Sequence, residues 1–283
     1  MVATIPALRF KPGTDHYAVI GNPIMHSLSP QIHKRFAEQT DQNLIYQAIE
    51  SPLDKFPEMV EQFRAAGGLG LNVTVPFKQQ AWELCEQRSE VSERAGAVNT
   101  LWFDSQVQIR GDNTDGHGLV RDITINLDQT ISGKRLLILG AGGAVRGVLE
   151  PLLKENPDSC VIANRTFSRA KELVEMFFDL GEISAIGYSD LSDLKFDIII
   201  NGTSASLSGE LPPLPDKIQV RKSMCYDMMY SKTPTAFVKW GFDNGAKLSV
   251  DGLGMLVEQA AESFYIWRGI WPETNSVIAS LRT

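Results

Sequence analysis

The order of apolar and polar positions along the chain predicts strands that alternate with helices. In the first half, apolar runs predict strands at 16–21, 43–50 and 68–75, then a β-hairpin of 101–104 with 107–112 that turns around Ser105 and Gln106. Helical spacing is found at 30–40, at 54–66 and from Pro76 to about Gln87. Such alternation is typical of parallel βαβ units, so we predict an α/β fold.

A second α/β block follows near residue 115. Its predicted strands are 134–140, 160–164, 196–201 and 224–228, and its predicted helices are 115–127, a segment ending near Lys154, 166–180, 234–243 and 253–268. The run at 134–140 is continuously apolar, which is typical of a strand covered on both faces. The pattern does not decide on which domain the last long helix packs.

Three helix starts carry side chains suited to capping. Ser29 before Pro30 and Thr233 before Pro234 are predicted N-caps, because a hydroxyl accepts from first-turn amides and proline fits the first turn. Asp115 is suited to cap the helix that opens at Gly116.

The segment GAGGAVRG, at 140–147, joins the apolar strand to the next helix. Gly140 suits the tight turn, Gly142 lets a pyrophosphate approach the backbone, and the helix N-terminus faces its charge. Val145 stands where the GxGxxG pattern has its third glycine. The context predicts a dinucleotide site, with a plain strand-to-helix turn as the alternative.

The end of the next predicted strand indicates which dinucleotide binds. An NAD site usually carries an acidic residue about 20 residues on, whereas 164–169 reads NRTFSR. A guanidinium forms two hydrogen bonds to a phosphate, and a carboxylate would repel it. Arg165 is therefore predicted to bind a 2′-phosphate, and the expected cofactor is NADP(H). For Arg169 alone, a solvated surface position fits slightly better.

Four polar stretches lie at or just beyond the ends of predicted strands: SLSP (27–30), NVTVPFK (72–78), AVNT (97–100) and DNTDG (112–116). Ligands of open α/β sheets bind outside the carboxyl ends of strands. The neutral donors and acceptors here suit a small polyhydroxylated ligand; they are Ser27, Ser29, Asn72, Thr74 and Asn99. Each has a structural alternative as a cap or turn residue, so their common position carries the prediction.

Lys78 and Asp115 are the charged candidates of these stretches. If a helix begins near Pro76, Lys78 lies in its first turn, where a cation opposes the helix dipole. A lysine placed there is a candidate for proton transfer, and a surface lysine lying over Phe77 is the commoner alternative. The Asp115 carboxylate would hold the ammonium group and accept a hydrogen bond from a substrate hydroxyl.

Composition narrows the class of protein. The chain has 283 residues and a formal net charge of −7, which argues against binding to nucleic acid or to an anionic membrane. The odd, scattered set Cys85, Cys160 and Cys225 indicates reduced thiols in a cytoplasmic protein. The start has no long apolar run typical of a signal peptide, and no stretch approaches the ~20 apolar residues of a membrane span. The histidines show no metal-ligand spacing, so no metal is expected.

The motifs SLSP, NVTVPFK, GAVNT, NTDG, GAGGAVR, NRT, NGTS and DGLGMLVEQAAESF resemble, in this order, those of the shikimate dehydrogenase family. They run through almost the whole chain, and the ordered set is far more specific than any one motif. The resemblance implies a substrate-binding and catalytic domain of 1–115, completed by 252–283, and a Rossmann-like doubly wound NADP-binding domain of 116–251. The implied reaction is the reversible NADPH-dependent reduction of 3-dehydroshikimate to shikimate, on the pathway to chorismate and aromatic amino acids.

The resemblance also implies roles for the residues that match these motifs. Ser27 and Ser29 would bind the substrate carboxylate, and Lys78 and Asp115 would form the catalytic pair. Substrate hydroxyls would be held by Asn72, Thr74, Asn99 and Gln259, with Tyr230 as a further contact. The cofactor would bind through its pyrophosphate at Gly140, Ala141, Gly142, Gly143 and Ala144, its 2′-phosphate at Asn164, Arg165 and Thr166, and its nicotinamide side at Thr203, Ser204, Met228 and Gly252. Gly202 departs from the alanine common in the family, and we expect only a small backbone effect.

Two alternatives stay open. A quinate or dual quinate/shikimate dehydrogenase often prefers NAD and carries an acid near the adenosine ribose, and Arg165 argues against that preference. A non-catalytic regulator that binds NADP or shikimate should lack Lys78 or Asp115, or carry an added DNA-binding segment. This chain has both residues. The sequence is compatible with a monomer or a homodimer.

Overall fold

The computed structural model describes residues 10–103, 108–215 and 218–282. These residues group into two compact units. The first contains the described residues up to Thr114 together with Ala260–Val277, and the second contains Asp115–Gln259 and the residues from Ile278 onward. The sequence predicts a domain change near residue 115, and the two units divide between Thr114 and Asp115. It assigns 252–283 to the first domain, whereas 252–259 and the residues from Ile278 onward group with the second unit.

The first unit is built on a mixed sheet. Its strands are β1 (Asp15–Gly21), β2 (Leu44–Glu50), β3 (Gly70–Val73), β4 (Gln87–Arg88), β5 (Thr100–Phe103) and β6 (Ile109–Asp112), in the spatial order β2-β1-β3-β5-β6-β4. Strands β1, β2 and β3 are parallel, as βαβ units require, and β5 pairs antiparallel with β3 and β6. The predicted hairpin pairing is confirmed, while its turn at Ser105 and Gln106 lies outside the described residues.

Helices cover both faces of this sheet. They are α1 (Ser29–Gln39), α2 (Phe56–Ala65), α3 (Lys78–Leu84) and α4 (Glu90–Ala95). Side chains of a strand alternate between faces, so Ala18 and Ile20 of β1 pack into a cluster with Phe56, while Tyr17 and Val19 pack on the opposite face against Trp267. The two clusters therefore pack on opposite faces of the sheet.

The second unit is a parallel doubly wound sheet, which confirms the predicted fold class. Its strands are β7 (Arg135–Leu139), β8 (Ser159–Ala163), β9 (Ile183–Ile186), β10 (Ile198–Asn201), β11 (Met224–Asp227) and β12 (Leu248–Val250). Their order is β12-β11-β10-β7-β8-β9, with parallel pairing between the neighbours. The chain order therefore reverses between β7 and β10, which is where such sheets bind dinucleotides.

The helices that follow in the chain complete the fold. They are α5 (Asp115–Arg121), which continues into a π-helical turn at Asp122–Asn126, then α6 (Gly143–Lys154), α7 (Phe167–Phe177), α8 (Ala236–Asp243), α9 (Leu253–Arg268) and α10 (Asn275–Leu281). Val148 of α6 and Leu173 of α7 pack on one face of the second sheet, and Phe237 of α8 packs on the other. No helix in the described ranges is long and apolar enough to cross a membrane.

The predicted helix caps are wrong at three positions. Helix α8 is capped by Thr235, whose Oγ1 accepts a hydrogen bond from the Val238 amide at 3.2 Å, and Thr233 precedes it. Helix α1 has Leu28 at its cap and Ser29 as its first residue, and α5 likewise begins at Asp115. The Ser29 hydroxyl is therefore not used for capping, which leaves it available for another contact.

The pattern of apolar and polar positions does not predict five short elements of the structure: β4, α4, β9, β12 and α10. Strands β9 and β12 are the two edges of the second sheet, so they lack the continuous apolar run of a central strand. Helix α4 has recognisable ends, since Ser89 accepts from the Ser92 amide and Gly96 takes a left-handed C-cap at φ 57°. Those two signals were sufficient to predict it.

His33 lies in the core of the first unit with 1% of its surface exposed. Its ring stacks on Tyr46 with 4.0 Å between centroids, and among the described residues neither ring nitrogen has a hydrogen-bond partner. Burial lowers the pKa of His33 to about 3, and the neighbouring Asn72 side chain offsets only part of this effect. The folded protein therefore holds His33 neutral.

We expect His33 to make the protein sensitive to acid. Histidine in the unfolded chain has a pKa of about 6.5, so below that pH His33 is protonated in the unfolded chain. In the folded chain His33 stays neutral down to about pH 3. The contribution of the neutral His33 to the free energy of unfolding is fully present above about pH 6.5 and falls by about 1.4 kcal/mol for each pH unit below it. Urea unfolding across this range should show a shallower pH slope for His33→Met than for the wild type. The exposed His26→Gln serves as the matched control, and equal slopes for His33→Met and the wild type would contradict the account.

Candidate active site

The polar residues predicted in the first unit lie at one end of its sheet. Ser27 follows β1, and Thr74 follows β3, where its amide donates to the Ile20 carbonyl at 3.0 Å. Asn99 directly precedes β5, which runs antiparallel to β3, so its start lies at the same end. The structure thus brings the predicted stretches together where the parallel strands terminate.

The two serines of SLSP are connected to each other and to β2. The Ser29 amide donates to Ser27 Oγ at 3.3 Å. Burial raises the pKa of the Tyr46 phenol, and a hydrogen bond with Ser29 opposes that rise. Ser29 therefore lies beside Tyr46, a residue for which the sequence predicts no role.

Asn72 is the centre of a buried polar network. The Tyr46 hydroxyl donates to Asn72 Oδ1 at 2.7 Å, and Asn72 Nδ2 donates to Ser263 Oγ at 2.9 Å and lies 3.2 Å from Thr100 Oγ1. These three hydroxyl groups could each donate or accept, but the Asn99 carbonyl, 3.2 Å from Asn72 Nδ2, can only accept, so it fixes which way the amide faces. Ser263 belongs to α9, so the network also anchors that helix within the first unit.

Asn99 extends this network to the end of β6. Its Oδ1 accepts from the Thr114 amide at 2.9 Å and from Thr100 Oγ1 at 2.8 Å, and its Nδ2 donates to Thr114 Oγ1 at 3.0 Å. Asn99 thereby fixes the position of Thr114, the residue directly before Asp115.

Lys78 is the first residue of α3, so it lies in the first turn of that helix, as the sequence predicts. Its carbonyl accepts from the Val98 amide at 2.9 Å, which sets the start of α3 beside the stretch that carries Asn99. Its side chain is half-buried. Asp115 is half-buried too and belongs to the second unit. There a first-turn carboxylate is also favoured by the helix dipole alone.

Helix α5 and the start of α9 pack closely within the second unit. A Cβ on Gly118 would lie 2.7 Å from the backbone nitrogen of Gln259, so only glycine permits this approach. Glu258, which is fully buried, accepts from Arg121 Nε at 3.0 Å and from Asn126 Nδ2 at 2.9 Å. These contacts hold Asp115 and Gln259 on two helices that cannot shift independently.

Gln259 and Tyr230 are the predicted substrate contacts of this unit. Gln259 Nε2 donates to the Leu256 carbonyl at 2.8 Å, within its own helix. Tyr230 is exposed, in the loop after β11.

The glycine turn lies where the chain order of the second sheet reverses. Gly140 follows β7 with φ at 104°, a backbone region that favours glycine. Thr203 lies close to it, because a Cβ added at Gly140 would stand 3.1 Å from the Thr203 side chain. Gly142 is the N-cap of α6, and Gly142, Gly143 and Ala144 are exposed while Ala141 is half-buried. The first turn of α6 therefore presents backbone amides to an anion.

The stretch after β8 presents two exposed guanidinium groups, those of Arg165 and Arg169. Asn164 Nδ2 donates to the Thr166 carbonyl at 2.8 Å and stabilises the turn into α7. Burial raises the pKa of Tyr188 to about 12, and the positive charge of Arg165 opposes this rise. Tyr188 therefore lies near Arg165 and adds an aromatic ring that the sequence does not single out.

The donors in this unit fit a dinucleotide phosphate: helix amides at the glycine turn and guanidinium groups after the next strand. Within the described residues, no group of three or more His, Cys, Asp or Glu side chains is placed to hold a metal ion.

Comparison with known proteins gives the same assignment along the chain. Three family models match: the shikimate dehydrogenase substrate binding domain at residues 19–101, shikimate / quinate 5-dehydrogenase at 123–208, and the shikimate 5′-dehydrogenase C-terminal domain at 252–282. The shikimate dehydrogenase (NADP(+)) of Alkalilimnicola ehrlichii is 58% identical over 95% of this chain and 99% of that protein.

The chain belongs to the shikimate dehydrogenase family. Solved structures agree with this membership. An Ael1 enzyme from Pseudomonas putida is 46% identical with a TM-score of 0.90, covering 95% of this chain and 99% of that one. The shikimate 5-dehydrogenase of Thermus thermophilus, in complex with NADP(H) and shikimate, is 28% identical with a TM-score of 0.85, covering 95% and 99%.

Gly202, where the resemblance implies an alanine, packs closely against α6. A Cβ at this position would overlap Val145 Cγ2. Val145 is fully buried in α6, where a β-branched side chain has little rotamer freedom. An alanine at this position would therefore require Val145 to move, a packing effect that the expected small backbone effect does not include.

We expect Gly202→Ala to lower the free energy of unfolding by about 1–3 kcal/mol, through overpacking against Val145. In Gly202→Ala/Val145→Ala the loss should be smaller than the sum of the two single losses by about 0.5–3 kcal/mol. Urea unfolding of the wild type, both single variants and the double variant measures this coupling. Strictly additive losses would show that the two side chains do not compete for space.

Proposed function

We propose that the chain catalyses the reversible NADPH-dependent reduction of 3-dehydroshikimate to shikimate. The observation that carries this proposal is 58% identity, over 95% of the chain, to a shikimate dehydrogenase (NADP(+)). The two polar sites described above support it, since one offers neutral hydrogen-bonding groups and the other offers phosphate ligands. The first unit then serves substrate binding and the second serves NADP binding.

Lys78 and Asp115 are proposed as the catalytic residues. NADP(H), when bound, supplies or accepts the hydride. Reduction of the carbonyl carbon leaves an alkoxide oxygen, which needs one proton, and oxidation needs that proton removed. The Lys78 ammonium group and the Asp115 carboxyl group are the pair assigned to hold and move it. Supporting this, both are half-buried first-turn residues, and Lys78 stands where a cation costs helix stability.

The substrate contacts proposed in the first unit are neutral. Ser27 and Ser29 would bind the carboxylate, and Asn72, Thr74 and Asn99 would hold hydroxyls. Supporting this, Ser29 is free of a capping role and lies beside Tyr46, which fixes Asn72. The second unit would add Gln259 and Tyr230.

NADP(H) is proposed to bind at the switch point of the second sheet. Its pyrophosphate would meet Gly140–Ala144, its 2′-phosphate Asn164, Arg165, Thr166 and Arg169, and its nicotinamide side Thr203, Ser204, Met228 and Gly252. The exposed guanidinium groups and the exposed residues at the start of α6 support the two phosphate assignments. A cytoplasmic location is also proposed, because the three cysteines are free thiols.

Turnover assays test the function and its alternatives together. The protein is incubated with NADP or NAD, and with shikimate or quinate, while the absorbance of reduced nicotinamide is followed. We expect turnover with shikimate and NADP. Preference for quinate would indicate the quinate branch of the family, and binding without turnover of either substrate would indicate a regulator.

We expect Lys78→Ala to lower kcat by orders of magnitude with little loss of shikimate binding, because the proton-transferring group is removed while the neutral contacts remain. Initial rates and shikimate binding by calorimetry measure the two effects. Gln79→Ala, the exposed neighbour on α3, is the matched control. If kcat survives and only KM rises, Lys78 is a binding group.

Arg165→Ala should weaken NADP binding far more than NAD binding, because only NADP carries the 2′-phosphate. A bidentate charged contact is worth about 1.5–3 kcal/mol, or roughly a ten- to hundredfold change in Kd. Binding of both dinucleotides to the variant measures the ratio. Equal weakening of both would refute the 2′-phosphate contact.

A further inference from the structure

Asp227 ends strand β11 with none of its surface exposed, and no role proposed above uses it. Its carboxylate accepts four hydrogen bonds. Oδ2 accepts from Ser206 Oγ and Thr235 Oγ1, each at 2.6 Å, and Oδ1 accepts from Asn201 Nδ2 at 3.0 Å and the Met229 amide at 3.1 Å. All four donors are neutral. They come from three separate segments of the second unit.

The first of these segments carries the motif NGTS. Asn201, held by Asp227 through its Nδ2, accepts from Thr203 Oγ1 at 2.7 Å and from the Thr203 amide at 3.1 Å through its Oδ1. Ser206, held by Oδ2, lies just beyond Ser204. The carboxylate therefore ties down this loop on both sides of Thr203 and Ser204.

The second segment is the exit from β11. The Met228 amide donates to the Asn201 carbonyl at 2.9 Å, and the Met229 carbonyl accepts from the Gly252 amide at 3.0 Å. The Met229 amide is held by Asp227, so the same carboxylate orders Met228 and, through Met229, the turn that carries Gly252.

The third segment is the start of α8, where Thr235 is both the helix cap and a donor to Asp227.

We propose that Asp227 is a positioning residue that sets the geometry of the nicotinamide end of the cofactor site. This inference rests on the proposed function, which assigns Thr203, Ser204, Met228 and Gly252 to the nicotinamide side. Those residues lie on separate loops, and their hydrogen-bond paths converge on one buried carboxylate. Burial raises the pKa of Asp227, and the hydrogen bonds from Ser206 and Thr235 oppose that rise, as expected for donors directed at a buried carboxylate.

Asp227→Asn tests the proposal with little change in shape. Its amide oxygen can still accept from Asn201 and Met229, but its NH2 group then faces Ser206 and Thr235, whose hydroxyls have to turn. Asn201→Ala is the second variant, since it cuts the path to Thr203 and leaves the other donors of Asp227 in place. Asp197→Asn is the matched control, because Asp197 is bonded to Arg135 at the opposite, amino-terminal end of the same sheet.

Calorimetry on the full chain, with NADPH and with adenosine 2′,5′-bisphosphate, separates the two ends of the cofactor, and kcat is measured alongside. We expect Asp227→Asn and Asn201→Ala to lower kcat and to weaken NADPH about tenfold. The bisphosphate, which lacks nicotinamide, should bind as to the wild type, and Asp197→Asn should change nothing.

Equal weakening of NADPH and the bisphosphate would show that Asp227 merely stabilises the whole unit, and unchanged kcat and NADPH affinity would also overturn the proposal. Failure of the proposed function has a different signature: the wild type would then bind NADPH without turning over shikimate, and the two-ligand comparison could still be read.

Discussion

The hydrogen bonds of the Asn72 amide are the constraint on which the polar end of the first unit depends. They join β3 to Tyr46 of β2, Thr100 of β5 and Ser263 of α9. Asn72 is buried, so each of these partners left unsatisfied would cost about 1–3 kcal/mol. Ser29 is linked to the amide through Tyr46, and Asn99 is linked to it directly by its backbone carbonyl and also through Thr100. Ser27, Ser29, Asn72 and Asn99, four of the five substrate-binding groups proposed for this unit, are thus parts of one hydrogen-bonded arrangement.

Most of the fold follows from patterns that the sequence shows directly. The continuous apolar run at β7 and the long helix α9 were predictable because central strands and long helices bury many adjacent positions. Edge strands such as β9 and β12 bury too few residues to show a period. The sequence predicts Thr233 as the cap of α8 because it precedes a proline suited to the first turn, and only the backbone shows that Thr235 takes the capping conformation, with φ at −64° and ψ at 164°.

The candidate site was predictable only where its residues stand in motifs. Ser27, Lys78 and Arg165 interrupt an apolar pattern at a strand end and so attract attention. Tyr46, Ser263 and Asp227 do not, because each occupies a regular position of a strand or helix and its importance comes from partners far along the chain. Asn72 and Ser263 are 191 residues apart, and local periodicity carries no signal over that separation.

The packing of Gly202 against Val145 has a consequence for how this sequence can change. A methyl group added at Gly202 fits well only after Val145 has become smaller, so the order of mutational steps matters. A motif grafted from a relative into this chain should accordingly carry both positions together. Ancestral or chimeric sequences that move them separately would pass through a poorly packed intermediate.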